Sequence, residues 1–159
     1  MQNSTSKVRV LTGTAMLGAV AAVLMYLEFP IPIMPAFVKL DVSELPALIA
    51  SFAYGPVSGI LVCLIKNLIK LPSTSTAAVG ELFNFVMGAL FVGVAGLIYK
   101  RNKTRKGAIV GALLGALVMA VVSVPYNYFI VYPAYVVMYH LPLDAIIGMY
   151  QAINPNVNG

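Results

Sequence analysis

From Val10 to Leu27 the chain runs for 18 residues without a single charge. A helix of that length reaches about 27 Å, close to the ~30 Å hydrocarbon core of a bilayer. Leu82 to Tyr99 forms a second uncharged run of the same order, and Gly107 to about Val137 a third, longer than a span needs. Pro125 and Pro133 sit in the far part of that third run, so the helix is expected to kink or end there. Repeated runs of this length point to membrane-spanning helices before anything else about the chain is considered.

Composition agrees. Of 159 residues, 60% are hydrophobic and 9% are charged, and the mean hydropathy is +0.92. Soluble domains carry roughly 25% charged residues. This chain has too few charges to coat a water-facing surface, so it reads as an all-α integral membrane protein. We read one membrane domain over 1–159 and no soluble domain of any size.

Lys7 and Arg9 precede the first apolar run as they would in a signal peptide. No small-residue cleavage site follows, and the run closes on Glu28-Phe29-Pro30, so it is read as a first span that stays. The single cysteine, Cys63, lies in the apolar stretch Ile60–Ile65. One cysteine excludes an internal disulfide and a multi-cysteine metal site, and Cys63 reads as a small buried apolar side chain.

Leu45 to Ile65 is ambiguous between one span and two helices. Tyr54-Gly55-Pro56 is a strong turn signal, with Pro56 suited to the first helical position and Ser43 to the cap of the preceding helix. Charge decides. The linker Lys100-Arg101-Asn102-Lys103-Thr104-Arg105-Lys106 holds five basic residues and no acid, and the N-terminal segment adds Lys7 and Arg9. Basic flanks favour the cytoplasmic side, and both groups share a side only if an even number of spans separates them. The segment is therefore split at Gly55-Pro56.

Five helices result, at about 8–27, 43–54, 56–71, 81–100 and 107–132, followed by an outer loop and tail over 133–159. The N-terminus is expected on the cytoplasmic side. All five acids, Glu28, Asp41, Glu44, Glu81 and Asp144, then fall at or near the outer face. The net charge of +5 needs no nucleic acid, because the clustered basic residues face anionic lipid headgroups.

Catalytic signatures are missing. There is no Walker loop, so ATP hydrolysis is not expected of this chain. His140 is the only histidine, which excludes a multi-histidine metal site. No serine has a base and an orienting acid in a readable pattern, and the spans hold neither paired aspartates nor a Ser–His pair. No catalytic residue, metal or cofactor is expected, and the chain is not read as an enzyme.

What remains is a set of polar residues near the outer helix ends. Glu81 and Asn84 are three apart and share a helix face. Lys66 and Lys70 share another, with Asn67 beside them. Asn127 lies among Tyr126, Tyr128, Tyr132 and Tyr135, and Lys39 and Asp41 lie between Pro35 and Pro46. Taken singly, each has a plain reading. Glu81 caps a helix start, and the asparagines join helices. Lys66 and Lys70 snorkel to headgroups, and the tyrosines form an interfacial belt. Taken together, amides, a carboxylate and aromatic walls suit a flat, neutral, hydrogen-bonding ring better than a phosphate, which would want an arginine cluster. In the first helix, Ala15-x-x-x-Ala19 and Gly18-x-x-x-Ala22 are small-residue pairs that let another helix approach closely, either within this chain or from a partner.

Several stretches carry a family resemblance. They are Leu27-Glu28-Phe29-Pro30-Ile31-Pro32, Phe37 through Leu48, Phe52-Ala53-Tyr54-Gly55-Pro56, Lys66-Asn67, Gly80-Glu81-Leu82-Phe83-Asn84-Phe85, and Ile98-Tyr99-Lys100 with its basic linker. Together they resemble the riboflavin-specific S components of energy-coupling factor (ECF) transporters, from about Val10 to Tyr128. The resemblance implies a six-helix bundle that binds riboflavin from the outside. It also implies docking on a transmembrane coupling protein with two ATPase subunits. Carried over residue by residue, it marks Glu81, Asn84 and Asn127 as ligand contacts, with Tyr128 beside them and Lys39 and Asp41 in a covering loop. It marks Ala15 and Ala19, with Gly18 and Ala22, as the docking face. The family's sixth helix supplies an Asn and a Lys to the ligand, and here that helix is expected to be missing. The alternatives are an S component for another small molecule and, in a different class, a non-transporting membrane scaffold.

Overall fold

The computed structural model describes residues 2–27, 29–30, 39–40, 42–73 and 78–131, with positions 133, 134, 137, 148 and 151 beyond them. The expectations of a loop-like tail and a missing sixth helix fall almost wholly outside the described residues, as do Asp41 and His140. Among the described residues, five continuous α-helices carry the fold: α1 (Gln2–Tyr26), α2 (Glu44–Tyr54), α3 (Pro56–Lys70), α4 (Val79–Arg101) and α5 (Arg105–Tyr126). A two-residue antiparallel ladder, Phe29–Pro30 with Lys39–Leu40, closes the segment between α1 and α2.

The helix borders have local causes. Gly55 adopts φ 107°, a conformation costly for any residue with a Cβ, and Pro56 then opens α3 with its fixed φ. At the head of α5, the Thr104 hydroxyl accepts from the Gly107 N–H at 3.0 Å. Helix α5 contains Pro125 and runs into a π-helical turn, Asn127–Val131. A wide turn is a usual response to the amide that proline removes. One expected cap is not made: Ser43 precedes α2 without capping it, because its hydroxyl is engaged by Lys66.

Four described helices are long and apolar enough to cross a membrane: Ser6–Tyr26, Pro56–Ser73, Val79–Arg101 and Arg105–Val131. Helix α2 is not among them. Its 11 residues reach about 16 Å, half of a hydrocarbon core, so it corrects the expectation of a full span there. It still reverses the chain. Gly55 lies at the end of the bundle that holds Tyr99, Lys100 and Lys103, while Glu44 lies beside Lys66 at the other end. Lys7 lies near Ser58, also toward the Gly55 end. The clustered basic residues of the described chain thus share one end of the bundle, and Glu44 and Glu81 share the other.

The core is built from small side chains. Ala21, Ala47, Ala50, Val62, Cys63 and Val92 are fully buried and in mutual contact. The Ser51 hydroxyl ties α2 to α4 by donating to the Val92 carbonyl at 2.7 Å. Helices α4 and α5 approach backbone to backbone: a Cβ on Gly111 would lie 2.8 Å from the Ala95 carbonyl oxygen, and one on Gly115 2.6 Å from that of Phe91. Large apolar residues such as Leu11, Leu113, Val121 and Phe129 are exposed. Small residues inside and large ones outside is the arrangement of helices packed in lipid, where the solvent is as apolar as the side chains.

Candidate functional site

At the acidic end, the start of α2, the last two turns of α3 and the start of α4 bring together polar groups that apolar surroundings would otherwise reject. Lys66 is fully buried. Its ammonium donates to the Glu44 carboxylate and to the Ser43 hydroxyl, each at 2.6 Å. The other carboxylate oxygen of Glu44 lies 3.6 Å from the Cys63 thiol. Gly88 on α4 leaves the room this needs, since a Cβ there would stand 2.6 Å from Glu44. Lys66 therefore does not snorkel to headgroups, as its sequence position suggested. A buried ammonium without a partner costs several kcal/mol, and α2 supplies the partner.

The next residue of α3, Asn67, is 5% exposed. Its amide nitrogen donates to the Cys63 carbonyl at 2.8 Å and to Asn84 Oδ1 on α4 at 3.2 Å. Its own Oδ1 is buried and accepts no hydrogen bond. A buried acceptor left this way costs about 1–3 kcal/mol. Asn84 is half-buried, and Glu81, one turn before it, is buried at 7% exposure. Lys70 donates to the Met25 carbonyl at 2.9 Å, lies 5.6 Å from the centre of the Tyr26 ring, and is within electrostatic reach of Glu81. Lys70 thus ties α3 to the end of α1.

The expected site residues are only partly brought together. Glu81 and Asn84 lie in the cluster. Asn127 comes to the same end of the bundle, where its neighbour Tyr126 packs on Phe83 of α4 at 5.5 Å between ring centres. The Asn127 amide donates back to the Ser123 carbonyl at 2.9 Å. Tyr128 is 67% exposed and edge-on to Phe129, so the structure places it on the outside of the bundle rather than in the cluster. Lys39 is placed in the short ladder, and the orientation of its side chain is outside the described residues, as is all of Asp41. The small-residue face of α1 divides. Gly18 and Ala22 are buried, Gly18 against Ile65 of α3, whereas Ala15 and Ala19 are exposed. Among the described residues, no group of three metal-ligating side chains exists.

Sequence reasoning missed the Ser43–Glu44–Lys66 contact. A signal was present: Glu44 and Lys66 lie eleven residues to either side of Gly55, so folding the hairpin there sets them opposite each other. A cavity of about 290 Å³ opens at the basic end between Tyr54, Pro56, Tyr99 and Lys100. Its buried hydroxyl, Ser51, is already taken by the Val92 carbonyl. The polar chemistry is concentrated at the acidic end.

The model of the family described as ECF transporter, substrate-specific component, matches residues 9–157. The chain belongs to that family. Among curated proteins, it is 39% identical over 127 residues to the riboflavin transporter RibU of Staphylococcus aureus (strain TCH60), covering 80% of this chain and 67% of that one. It is 38% identical over 139 residues to the riboflavin transporter FmnP of Bacillus subtilis (strain 168), covering 86% and 73%. A solved S component of a bacterial ECF transporter superposes with a TM-score of 0.76 at 36% identity, over 96% of this chain and 88% of that one. An S component is a membrane protein, which accounts for the four apolar helices and for the exposed apolar surface.

Proposed function

We propose that this S component binds riboflavin at the acidic end of the bundle, on the outer side of a bacterial cytoplasmic membrane, and delivers it to an ECF module. The observation that carries the reading is the identity of 38–39% to two proteins named as riboflavin transporters. The chemistry of the cluster supports it. Glu81, Asn84 and Asn127 offer a carboxylate and two amides, the donor and acceptor mixture that suits the imide edge and the polyol of a neutral flavin. Lys39 and Asp41 belong to the segment that would cover the ligand. Tyr128 is left out because it is exposed.

The N-terminus is assigned to the cytoplasm by the basic residues at one end of the bundle. Transport then needs a transmembrane coupling protein and two ATPase subunits, with the exposed Ala15 and Ala19 as the docking face. No chemistry is assigned to this chain, and riboflavin is cargo rather than cofactor.

Quenching of flavin fluorescence on titration with the purified protein tests the assignment. Saturable quenching at micromolar or lower flavin is expected. Absence of quenching would sink the riboflavin assignment and turn attention to another small molecule. Within a binding protein, Asn84→Ala and Asn127→Ala should each weaken riboflavin by about 1–3 kcal/mol, the loss expected when a buried hydrogen-bond partner is removed.

A further inference from the structure

Asn67 belongs to the polar cluster but is not among the ligand contacts that the resemblance assigns. Its amide is fixed in one orientation. The nitrogen faces the Cys63 carbonyl, which can only accept, so turning the amide over would set oxygen against oxygen there; Asn84 then presents its Oδ1 to the same nitrogen. Two consequences follow from that one orientation. Asn84 is held with its oxygen toward α3 and its nitrogen turned away from α3. Asn67 Oδ1 is left buried, and no donor among the described residues satisfies it. Native interiors rarely leave such an atom unpartnered, and the exceptions concentrate where a water or a ligand completes the set.

We propose that Asn67 is a specificity-determining residue of the ligand site, and that its Oδ1 accepts a hydrogen bond from a donor group of the bound flavin, directly or through one held water. Asn67 acts at the same time as a positioning residue for Asn84. The two functions share one carboxamide: the nitrogen sets the polarity of Asn84, and the oxygen reads the ligand. The ligand class is thereby narrowed to one carrying an N–H or O–H at the point nearest α3. A flavin has two such edges, the imide N–H and the ribityl hydroxyls. The inference rests on the riboflavin reading, and its test separates the two.

The experiment is a fluorescence titration of wild type and Asn67→Leu with riboflavin, 3-methylriboflavin and lumiflavin, with thermal melting of each protein without ligand. The second ligand lacks the imide N–H and the third lacks the ribityl chain. Leucine has nearly the shape of asparagine; it removes the orphaned oxygen but also the donor to Asn84 Oδ1, so the two effects oppose and the ligand-free melting temperature should change little. Riboflavin affinity should fall by about tenfold or more. The analogue without the donor should lose distinctly less affinity than riboflavin does, because only the loss that comes through Asn84 remains for it.

A riboflavin affinity unchanged by the substitution overturns the proposal. So does an equal loss for all three ligands, which marks a purely structural residue. Failure of wild type to bind riboflavin overturns the functional reading instead. If Asn67→Leu does not yield folded protein, Asn67→Ser is titrated against the same three ligands under the same criteria.

Discussion

The Lys66–Glu44 pair shows how much a single buried charge can demand of its surroundings. The ammonium is fully enclosed, and its two 2.6 Å contacts both come from the start of α2. Removing one partner leaves an uncompensated charge, at a cost of about 3–5 kcal/mol, whereas replacing both with apolar groups of similar volume is often neutral. Glu44→Leu and Lys66→Met should therefore each lower the melting temperature in detergent sharply. The double variant should recover most of the loss. Additive losses in the double variant would show that the two side chains do not act as a pair. This contact also marks the limit of reading one helix at a time. Lys66 taken alone, at a helix end, looks like a lysine reaching for headgroups. Only the position of the Gly55 turn, midway between the two residues, reveals the partner. Glu81 and Asn84 were legible because the spacing that joins them lies within one helix. The Asn67 contact to Asn84 was not, because it joins two helices across a segment whose length fixes no register.

At the scale of elements, the apolar runs and the Gly55-Pro56 turn told where helices lie, and charge parity told that an even number of reversals separates the two basic segments. Helix α2 departs from that scheme because parity counts reversals, and an 11-residue helix reverses the chain without spanning a bilayer. The lateral packing has a different origin. Apolar surface gives little drive between helices in lipid, so close approach and dispersion must supply it. Helices α4 and α5 achieve this through Gly111 and Gly115, where the atoms a Cβ would meet are backbone carbonyl oxygens. A backbone atom cannot rotate aside as a flexible side chain can. Gly115→Val should therefore push α5 off α4 and cost about 1–3 kcal/mol, the usual penalty for overpacking. Thermal melting reads the loss directly. Ala116→Val, at the neighbouring exposed position, is the matched control and should melt like wild type. Because α5 carries Asn127 to the acidic end, Gly115→Val should also weaken riboflavin while Ala116→Val should not.

For the whole molecule, the α1 small-residue face divides into a buried pair, Gly18 and Ala22, and an exposed pair, Ala15 and Ala19, to which the proposed docking role falls. Gly18 lies against Ile65 of α3 and Ala22 is buried, so these two belong to the inward face of α1. Along the exposed row one helical turn apart, Leu11, Ala15, Ala19 and Val23 leave two small residues between two large ones, with Leu11 and Val23 more than half exposed. Such a notch accepts a crossing helix at close range, and nothing in the bundle itself fills it among the described residues. A ring placed in the notch should block a partner helix while remaining compatible with lipid. Ala19→Phe is therefore expected to bind riboflavin as wild type does, yet to lose most riboflavin uptake when reconstituted with the coupling protein and its ATPases. Gly18→Phe, directed into Ile65, should instead destabilise the isolated protein and weaken riboflavin binding with it. Full uptake by Ala19→Phe would remove the docking role from this face. Loss of binding and uptake together in Ala19→Phe would assign the exposed alanines to folding, as for Gly18. The proposed ligand site and the proposed docking face lie on different groups of residues, so a variant that separates binding from uptake is the one result that requires both to be read correctly.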